Sequence, residues 1–258
     1  MGLSIEVPQP RSSFVLAVAA AAAFTVPRAL SGRGGDGVAG PPPRVKLKRP
    51  LLEEMPDTLK ALRRASPSSG GVPAREFLSA AYTLITIFDA LPGMGIVKSD
   101  LLGNADSLWR LHTPGATLQQ MCDAELEALG GGPGCRAAAK EASRRDGSAC
   151  TSLLWLCRAL RFIEALLLEL LKPLQASLKE CVTAGYAHSL RKHHNALVRG
   201  VFAAAVNAAP QRAAFVAAIA PSGASDAEAM RTVSKLLPDF SRPLDALGKY
   251  LRDRHLES

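Results

Sequence analysis

The sequence has few aromatic residues, no paired cysteine motif and little net charge outside its N-terminal segment. Aromatic side chains make up only 5% of the 258 residues, which argues against an aromatic-rich β-sandwich. The five cysteines are odd in number and include no Cys-x-x-Cys pair, so we expect reduced thiols and neither a disulfide framework nor a zinc site. Hydrophobic residues make up 48%, which excludes a disordered polar chain and predicts a folded core.

The formal charge of +8 comes mainly from residues 1–50. This segment has seven Lys or Arg against two Asp or Glu, a net of +5, so the rest of the chain keeps a net of +3. The basic run at residues 44–49 has no interleaved aromatic side chains, and we therefore expect no nucleic-acid partner. The excess charge belongs to an N-terminal arm, and the body is nearly neutral.

The arm contains an apolar, alanine-rich run at residues 14–26. This run is too short to span a bilayer as a helix but has the size of a signal-peptide core. Its AAAFTVP end resembles the Ala-Phe-x-x-Pro region of bipartite plastid signals in some algae, and the alternative is an alanine-rich extension with no address. We divide the chain into an arm at residues 1–50, a linker with a short helix at 51–73 and a body at 74–258.

The body is predicted to be all-α, because apolar residues recur three and four positions apart and no stretch alternates with period two. Helices are expected near residues 77–88, 96–108, 117–129, 150–171, 174–201 with a continuation to 209, 212–220, 226–237 and 244–255. The segment at 150–171 is apolar on nearly all sides, but Arg158, Arg161, Glu164 and Glu169 argue against a membrane span. Such a helix lies in a core or lines an apolar cavity.

Motifs for catalysis are missing. The sequence has no G-x-S-x-G, P-loop, H-E-x-x-H or glycine-rich dinucleotide turn, so we expect no enzyme, no cofactor and no catalytic residues. His188, His193 and His194 are not spaced to place two ligands on one helical face, and we expect no metal.

A sparse polar set remains. Asp100 and Asn104 lie four positions apart and share a helical face. They are either a solvated surface or part of a binding site. Trp155 is either a core residue or a stacking platform, and His194 is either an ordinary structural histidine or a ligand contact.

Five segments, taken in order, resemble the glycolipid transfer protein family. They are KSDLLGN at 98–104, TLQ at 117–119, LLWLCRALRFI at 153–163, YAHSLRKHH at 186–194 and AAPQRAAF at 208–215. The resemblance covers roughly residues 77–219. It implies a two-layer, all-α sandwich that encloses a hydrophobic slot and carries a sphingolipid between membranes without ATP or a metal.

The resemblance also implies roles for the polar set. Asp100 and Asn104 would bind the ceramide amide and sugar hydroxyls, Trp155 would stack on the sugar, and His194 would donate to the ceramide carbonyl. Arg158 is an additional headgroup candidate. The candidate walls of the slot are Leu153, Leu156, Phe162, Leu166, Val198 and Phe202.

Three positions favour a sugar over a phosphate headgroup. The related ceramide-1-phosphate branch has Arg at the positions of Trp155 and Thr151, and some of its members have Lys at the position of Asn104. Glycolipid-type members often carry a Lys where this chain has Ser107, which puts one sugar contact in doubt. Arg158 and Arg161 keep the phosphate alternative open.

The expected partners are a sphingolipid, either glycosylceramide or ceramide 1-phosphate, and a transient membrane surface. We expect a monomer that works in the cytoplasm at membrane surfaces, or on a plastid or secretory route if residues 1–30 are a targeting segment. A lipid sensor or adaptor of the same fold is the other alternative.

Overall fold

The computed structural model describes residues 47–65, 71–132, 134–172 and 176–257. These ranges exclude most of the predicted arm, so the targeting prediction for residues 1–30 lies outside the described residues. In chain order, the α-helices of the described ranges are Leu51–Ala65 (α1), Ala74–Ile85 (α2), Gly95–Leu111 (α3), Leu118–Ala128 (α4), Arg136–Ala142 (α5), Ala149–Leu170 (α6), Leu178–His188 (α7), Ala196–Asn207 (α8), Arg212–Ile219 (α9) and Asp226–Asp253 (α10). Thr86–Ala90 and Arg191–His193 are 3-10 turns.

The all-α prediction is confirmed, since the described ranges contain helices and one isolated bridge but no strand. Helix α6 is the centre of the body and packs against α3, α4, α7 and α10. Its start is fixed by Ser148, whose side chain accepts a hydrogen bond from the Thr151 amide. Most of its side chains are buried, as its apolar composition predicts.

Helix α1 belongs to the packed body. The sequence suggested a linker with a short helix at residues 51–73, but α1 has 15 residues and buries five of them: Leu51, Leu52, Met55, Leu59 and Leu62. It packs against α2 and α10. Arg49, at the end of the predicted arm, holds its first turns through Glu54 at 3.2 Å and Asp57 at 3.0 Å.

The C-terminal region differs from the prediction in two places. The helix expected from 174 to 209 is divided by a break at residues 189–195, where Asn195 starts α8 by accepting from the Val198 amide. The two helices expected at 226–237 and 244–255 form one helix, α10, although it contains Pro238 and Pro243. Tertiary packing overrides the two prolines, because α10 buries a regular apolar stripe against α1 and α6.

The described helices include none that is long and apolar enough to cross a membrane alone. The bent pair α8 and α9, which meet at 91°, passes that test together by length and composition.

A glycine lies where α7 packs closely against the backbone of α6. A Cβ on Gly185 would lie 3.0 Å from the Leu166 nitrogen and 3.2 Å from the Leu166 Cα, both in the backbone of α6. A side chain at this position would therefore require the backbones of the two helices to move apart by a few tenths of an ångström.

We expect Gly185→Ala to lower the free energy of unfolding by about 1–2 kcal/mol, because overpacking the contact outweighs the gain in helix propensity. Urea denaturation followed by circular dichroism measures this change. Gly200→Ala is the matched control, since it lies in α8 with open space around it, and it should raise stability by about 0.5–1 kcal/mol. Equal stabilisation by both substitutions would show that the α6–α7 contact adapts freely.

Candidate functional site

The polar face of α3 carries an unpaired carboxylate. Asp100 is half-buried, and no group in the described part of the chain donates a hydrogen bond to its side chain. Asn104 is 8% exposed and lies one turn further, where its Nδ2 donates to the Asp100 carbonyl oxygen at 2.9 Å. The two side chains share a helical face, as their spacing predicts.

Burial raises the pKa of Asp100 from 3.8 to about 6. The cause is desolvation of the ionised form, which no nearby cation offsets. A ligand with N–H or O–H donors would compensate this carboxylate. A ligand without donors would leave it desolvated and unsatisfied.

Trp155 lies in the first half of α6 and is only 8% exposed. The Arg158 guanidinium lies over its ring, 4.9 Å from the centroid. The His194 ring is nearly parallel to the indole at 6.3 Å, and the His193 ring meets it edge-on at 6.4 Å. Trp155 is therefore part of a packed cation–aromatic group in this structure, where the sequence suggested an open ring face.

His194 lies in the break between α7 and α8 and is held by Tyr186. The Tyr186 hydroxyl is 3.0 Å from His194 Nδ1, and the Tyr186 ring stacks on Phe202 at 3.7 Å. Burial, assisted by Arg199 and Arg158, lowers the pKa of His194 to about 4. The imidazole is therefore neutral at neutral pH and carries one N–H donor.

Arg158 joins Trp155 to the C-terminal segment. Its Nε lies 3.5 Å from Glu257 Oε1, but the N–H makes no hydrogen bond with any described residue. Burial lowers the pKa of Arg158, and Glu257 partly offsets that effect. The five predicted headgroup residues thus form two groups on helices that pack together: Trp155 contacts both Arg158 and His194 at α6, and Asn104 lies beside Asp100 on α3.

Three residues of this region were missed by sequence reasoning. The sequence placed Tyr186 and His193 in the segment at residues 186–194 but predicted no contact for either side chain. Glu257 was not among the predicted residues. Tyr186 has no periodic relation to His194 because a helix break separates them. Glu257 is remote in sequence from Arg158, and no local pattern could predict their ion pair.

Two of the side chains that bear on the choice between a sugar and a phosphate headgroup, Thr151 and Ser107, form hydrogen bonds within the protein. The Thr151 hydroxyl donates to the Ala142 carbonyl at 2.9 Å. Ser107 donates to the Gly103 carbonyl and accepts from Arg110 Nη2 at 3.1 Å. Arg110 therefore places a cation beside the position where glycolipid-type sequences often carry Lys.

The six candidate slot residues are all buried, and they fill their region with side chains. Phe162 packs edge-on against Phe202 at 5.4 Å and stacks with Phe88 at 6.1 Å. A narrow apolar space of about 20 Å³ lies between α1, α2, α6 and α10. It is lined by Leu51, Leu52, Met55, Leu59, Leu84, Leu167, Val233, Leu236, Leu237 and Phe240, none of which is among the six. The choice of slot walls therefore stays a prediction.

This all-α body, with an apolar interior and polar groups gathered on α3, α6 and the turn before α8, has the architecture of a lipid-holding protein. The sequence profile of the family described as Glycolipid transfer protein matches residues 72–221. Glycolipid transfer protein from Danio rerio is 32% identical over 197 residues, covering 71% of this chain and 88% of its own length. The chain belongs to the glycolipid transfer protein family.

Other relatives are longer or differ in ligand. Pleckstrin homology domain-containing family A member 8 from Rattus norvegicus is 31% identical over 200 residues, covering 73% of this chain and 36% of that protein. The chain thus spans about a third of the length of such relatives. A structure of FAPP2, described as selecting simple glycosphingolipids with the GLTP-fold, has a TM-score of 0.67 and 27% identity over 81% of this chain and 98% of its own.

A second solved structure shares the fold with a different lipid. Human ceramide-1-phosphate transfer protein, in complex with 12:0 ceramide-1-phosphate, has a TM-score of 0.66 and 21% identity over 78% of this chain and 96% of its own. Members of the family are lipid-transfer proteins, and the fold of this chain is that of the family.

Proposed function

We propose that the protein carries a glycosylceramide between membranes without catalysing a reaction. The observation that carries this proposal is the half-buried Asp100 carboxylate, which has a raised pKa and no donor among the described residues. Glycosylceramide offers both an amide N–H and sugar hydroxyls as donors. A diacylglycerol-based lipid has esters in place of the amide and would leave more of the site unsatisfied.

His194 fits the other side of a ceramide amide. The Tyr186 hydroxyl faces Nδ1 of the neutral His194 imidazole. The donor to a carbonyl oxygen of the ligand would therefore be the other ring nitrogen, Nε2. The tautomer follows if the hydroxyl donates to Nδ1, because the remaining proton is then on Nε2. An amide held from both sides is specific for sphingolipids as a class.

The hydrocarbon chains would enter the apolar space under α1, whose lining differs from the six slot residues expected from the sequence. The space of about 20 Å³ is far smaller than a lipid chain, so loading requires α1 to separate from α10. The contacts that must separate are between apolar side chains, which re-form on the alkyl chains of the lipid. Uptake would therefore exchange one apolar contact for another.

The membrane contact is expected on α8 and α9. Their outward side is formed mainly by alanine and glycine, with Leu197 59% exposed, and Arg199 is an exposed charge on α8. This surface begins directly after His194, so a docked protein would place the candidate headgroup site beside the lipid interface.

Leu197→Glu should reduce the transfer rate roughly tenfold, because a buried leucine contributes about 1.5–3 kcal/mol and the glutamate resists entering the interface. Fluorescent glycosylceramide moving between vesicles measures the rate. Leu111→Glu is the control, since Leu111 is also an exposed leucine, 49% exposed, but lies at the end of a different helix, α3. Equal losses in both variants would argue against this membrane contact.

The main experiment compares two lipids in the same transfer assay. Glucosylceramide or galactosylceramide should move faster than ceramide 1-phosphate. The reverse order would overturn the sugar assignment, and binding of either lipid without transfer would indicate a sensor.

Ceramide 1-phosphate is the second candidate ligand. Arg158 favours it, because its buried Nε–H has no hydrogen-bond acceptor among the described residues. The Trp155 and Thr151 side chains supply no cation, which favours the sugar.

The site of action is a separate proposal. We expect the body to work in the cytoplasm at membrane surfaces unless residues 1–30 direct it to a plastid or the secretory route. Fusing residues 1–50 to a fluorescent protein and locating the fusion in cells would decide between these addresses.

A further inference from the structure

A groove separate from the polar face of α3 lies between α6, the turn after α7 and the last turns of α10. Its volume is about 410 Å³. Four cationic side chains line it, and its carboxylates are Glu164 and Glu257. The cations are Arg158, Arg161, Lys192 and Arg252.

Among the residues that the structure describes, carboxylates fully neutralise one of these four cations. Arg161 pairs with Glu164 at 2.6 Å and with Asp245 at 2.5 Å. Lys192 and Arg252 make no side-chain hydrogen bond or ion pair with any residue that the structure describes. Counting Asp245, three carboxylates face the four cations, and Asp253 acts on Arg252 only through electrostatic attraction without an ion pair, so the groove keeps a surplus of about one positive charge among the described residues.

The guanidinium groups converge over a glycine. A Cβ on Gly248 would lie 3.4 Å from Arg252 Nη1 and 3.8 Å from Arg161 Nη2. Glu164 and Asp245 already offset the charge of Arg161, which leaves the Arg252 guanidinium as the open charged donor beside Gly248. Gly248 lines the groove beside these guanidiniums and presents no side chain there.

Arg158 adds a buried donor to the same space. Its side chain is 11% exposed, its Nε–H lacks a hydrogen-bond acceptor among the described residues, and Glu257 lies 3.5 Å away. An unsatisfied buried donor on a cation is costly, and a small anion in the groove would satisfy it. A carboxylate carried by a bulky peptide would reach the exposed Lys192 more easily than the enclosed Arg158 Nε. The position of Arg158 Nε therefore favours a small anion over a peptide.

We propose that this groove binds a phosphomonoester, with Arg158, Arg252 and Lys192 as donors and Gly248 as its floor. The phosphate competes with Glu257 for Arg158. Planar guanidiniums match phosphate oxygens, and two or three together provide the donors that a dianion requires. The ligand is either a soluble phosphate ester or the phosphate of a lipid such as phosphatidic acid at a membrane surface.

Binding in the groove would be sensed at the candidate headgroup site. Arg158 lies over the Trp155 ring and His193 meets the same ring edge-on, so an anion that moves Arg158 changes the surroundings of the indole. Trp109, the other tryptophan of the chain, packs against Tyr82 and His112 and does not line the groove. The two indole N–H signals in an NMR spectrum therefore serve as probe and internal reference.

The test titrates the full-length protein with glycerol 3-phosphate and follows heat by calorimetry and the two indole signals by NMR. We expect saturable binding that shifts the Trp155 signal and leaves the Trp109 signal in place. Arg252→Gln should weaken binding about tenfold, the usual worth of a charge-assisted hydrogen bond. Glu257→Gln should tighten it, because the competing carboxylate is removed.

Arg242→Gln is the matched control. It removes the same charge from α10, but Arg242 is exposed, pairs with Asp239 and does not line the groove. Equal weakening by Arg242→Gln and Arg252→Gln would overturn the proposal in favour of a diffuse charge effect, as would the absence of a Trp155 shift. Gly248→Ala should also weaken binding, and normal affinity in that variant contradicts the proposed floor.

A vesicle arm identifies the source of the phosphate. Sedimentation of the protein with phosphatidylcholine vesicles is compared with and without phosphatidic acid in the vesicles. If phosphatidic acid increases sedimentation, and this increase is lost in Arg252→Gln but kept in Arg242→Gln, the groove binds a lipid phosphate. Binding of glycerol 3-phosphate without that difference would assign it to a soluble ester. Neither readout requires glycosylceramide, so failure here leaves the carrier proposal intact.

Discussion

Replacing Asp100 by asparagine is expected to abolish glycosylceramide transfer while making the free protein more stable at neutral pH. Transfer is lost because the amide presents one acceptor oxygen and a competing donor where the ceramide N–H and a sugar hydroxyl need a carboxylate. Stability rises because the substitution removes an ionised group that burial disfavours. A pKa raised from 3.8 to about 6 corresponds to up to about 3 kcal/mol.

The sign of the effect gives a pH profile. Below pH 3.8 the carboxyl is protonated in both the folded and unfolded states, so it carries no penalty. As pH rises to about 6 the unfolded state ionises first, and the wild-type protein loses stability relative to Asp100→Asn. Above pH 6 the difference in stability is constant. Thermal unfolding of both proteins from pH 4 to pH 8 measures this difference.

Lipid binding should have the opposite dependence. Donors on the ligand favour the ionised carboxylate, so affinity for glycosylceramide should fall when pH drops below about 6. Asp89→Asn is the matched control, because Asp89 is exposed and pairs with Lys98. If Asp100→Asn transferred lipid at the wild-type rate, the headgroup would bind elsewhere. If Asp89→Asn reproduced its stability gain, burial of Asp100 would not be the cause.

Local sequence patterns predicted helices well where capping and periodicity agree. The long apolar segment was expected at residues 150–171 and is found at Ala149–Leu170, and the Thr117 capping box starts α4 at the expected place. The prediction failed where distant packing decides. The stripe that α10 buries against α1 and α6 keeps it continuous through its two prolines, and no local signal revealed that contact.

The site shows the same division. Spacing correctly placed Asp100 and Asn104 on one face, since this follows from helix geometry alone. The surroundings of Trp155 were not predictable from local sequence. The Arg158 guanidinium lies over the ring and also pairs with Glu257, which is far from Arg158 in the sequence. The burial that raises the pKa of Asp100 is likewise a tertiary property.

Trp155→Arg is the second substitution with a large expected effect. It should lower glycosylceramide transfer at least about tenfold, because loss of the sugar-stacking contact that the family resemblance implies costs on the order of 1.5 kcal/mol and the new cation adds a desolvation cost. It should raise ceramide 1-phosphate transfer, since the new guanidinium would lie beside Arg158 and supply a second charge-assisted donor to a phosphate. The ratio of the two transfer rates is the measured quantity.

The ratio separates recognition from folding. Trp155 is buried, so the arginine also lowers stability, and a loss of folded protein would reduce both rates together. Trp155→Phe is the control: it keeps an apolar ring under Arg158 and should keep the preference for the sugar lipid, at a reduced rate. If the ratio of glycosylceramide to ceramide 1-phosphate transfer rates is unchanged in Trp155→Arg, the Trp155 side chain supports the packing of α6 and does not contact the headgroup.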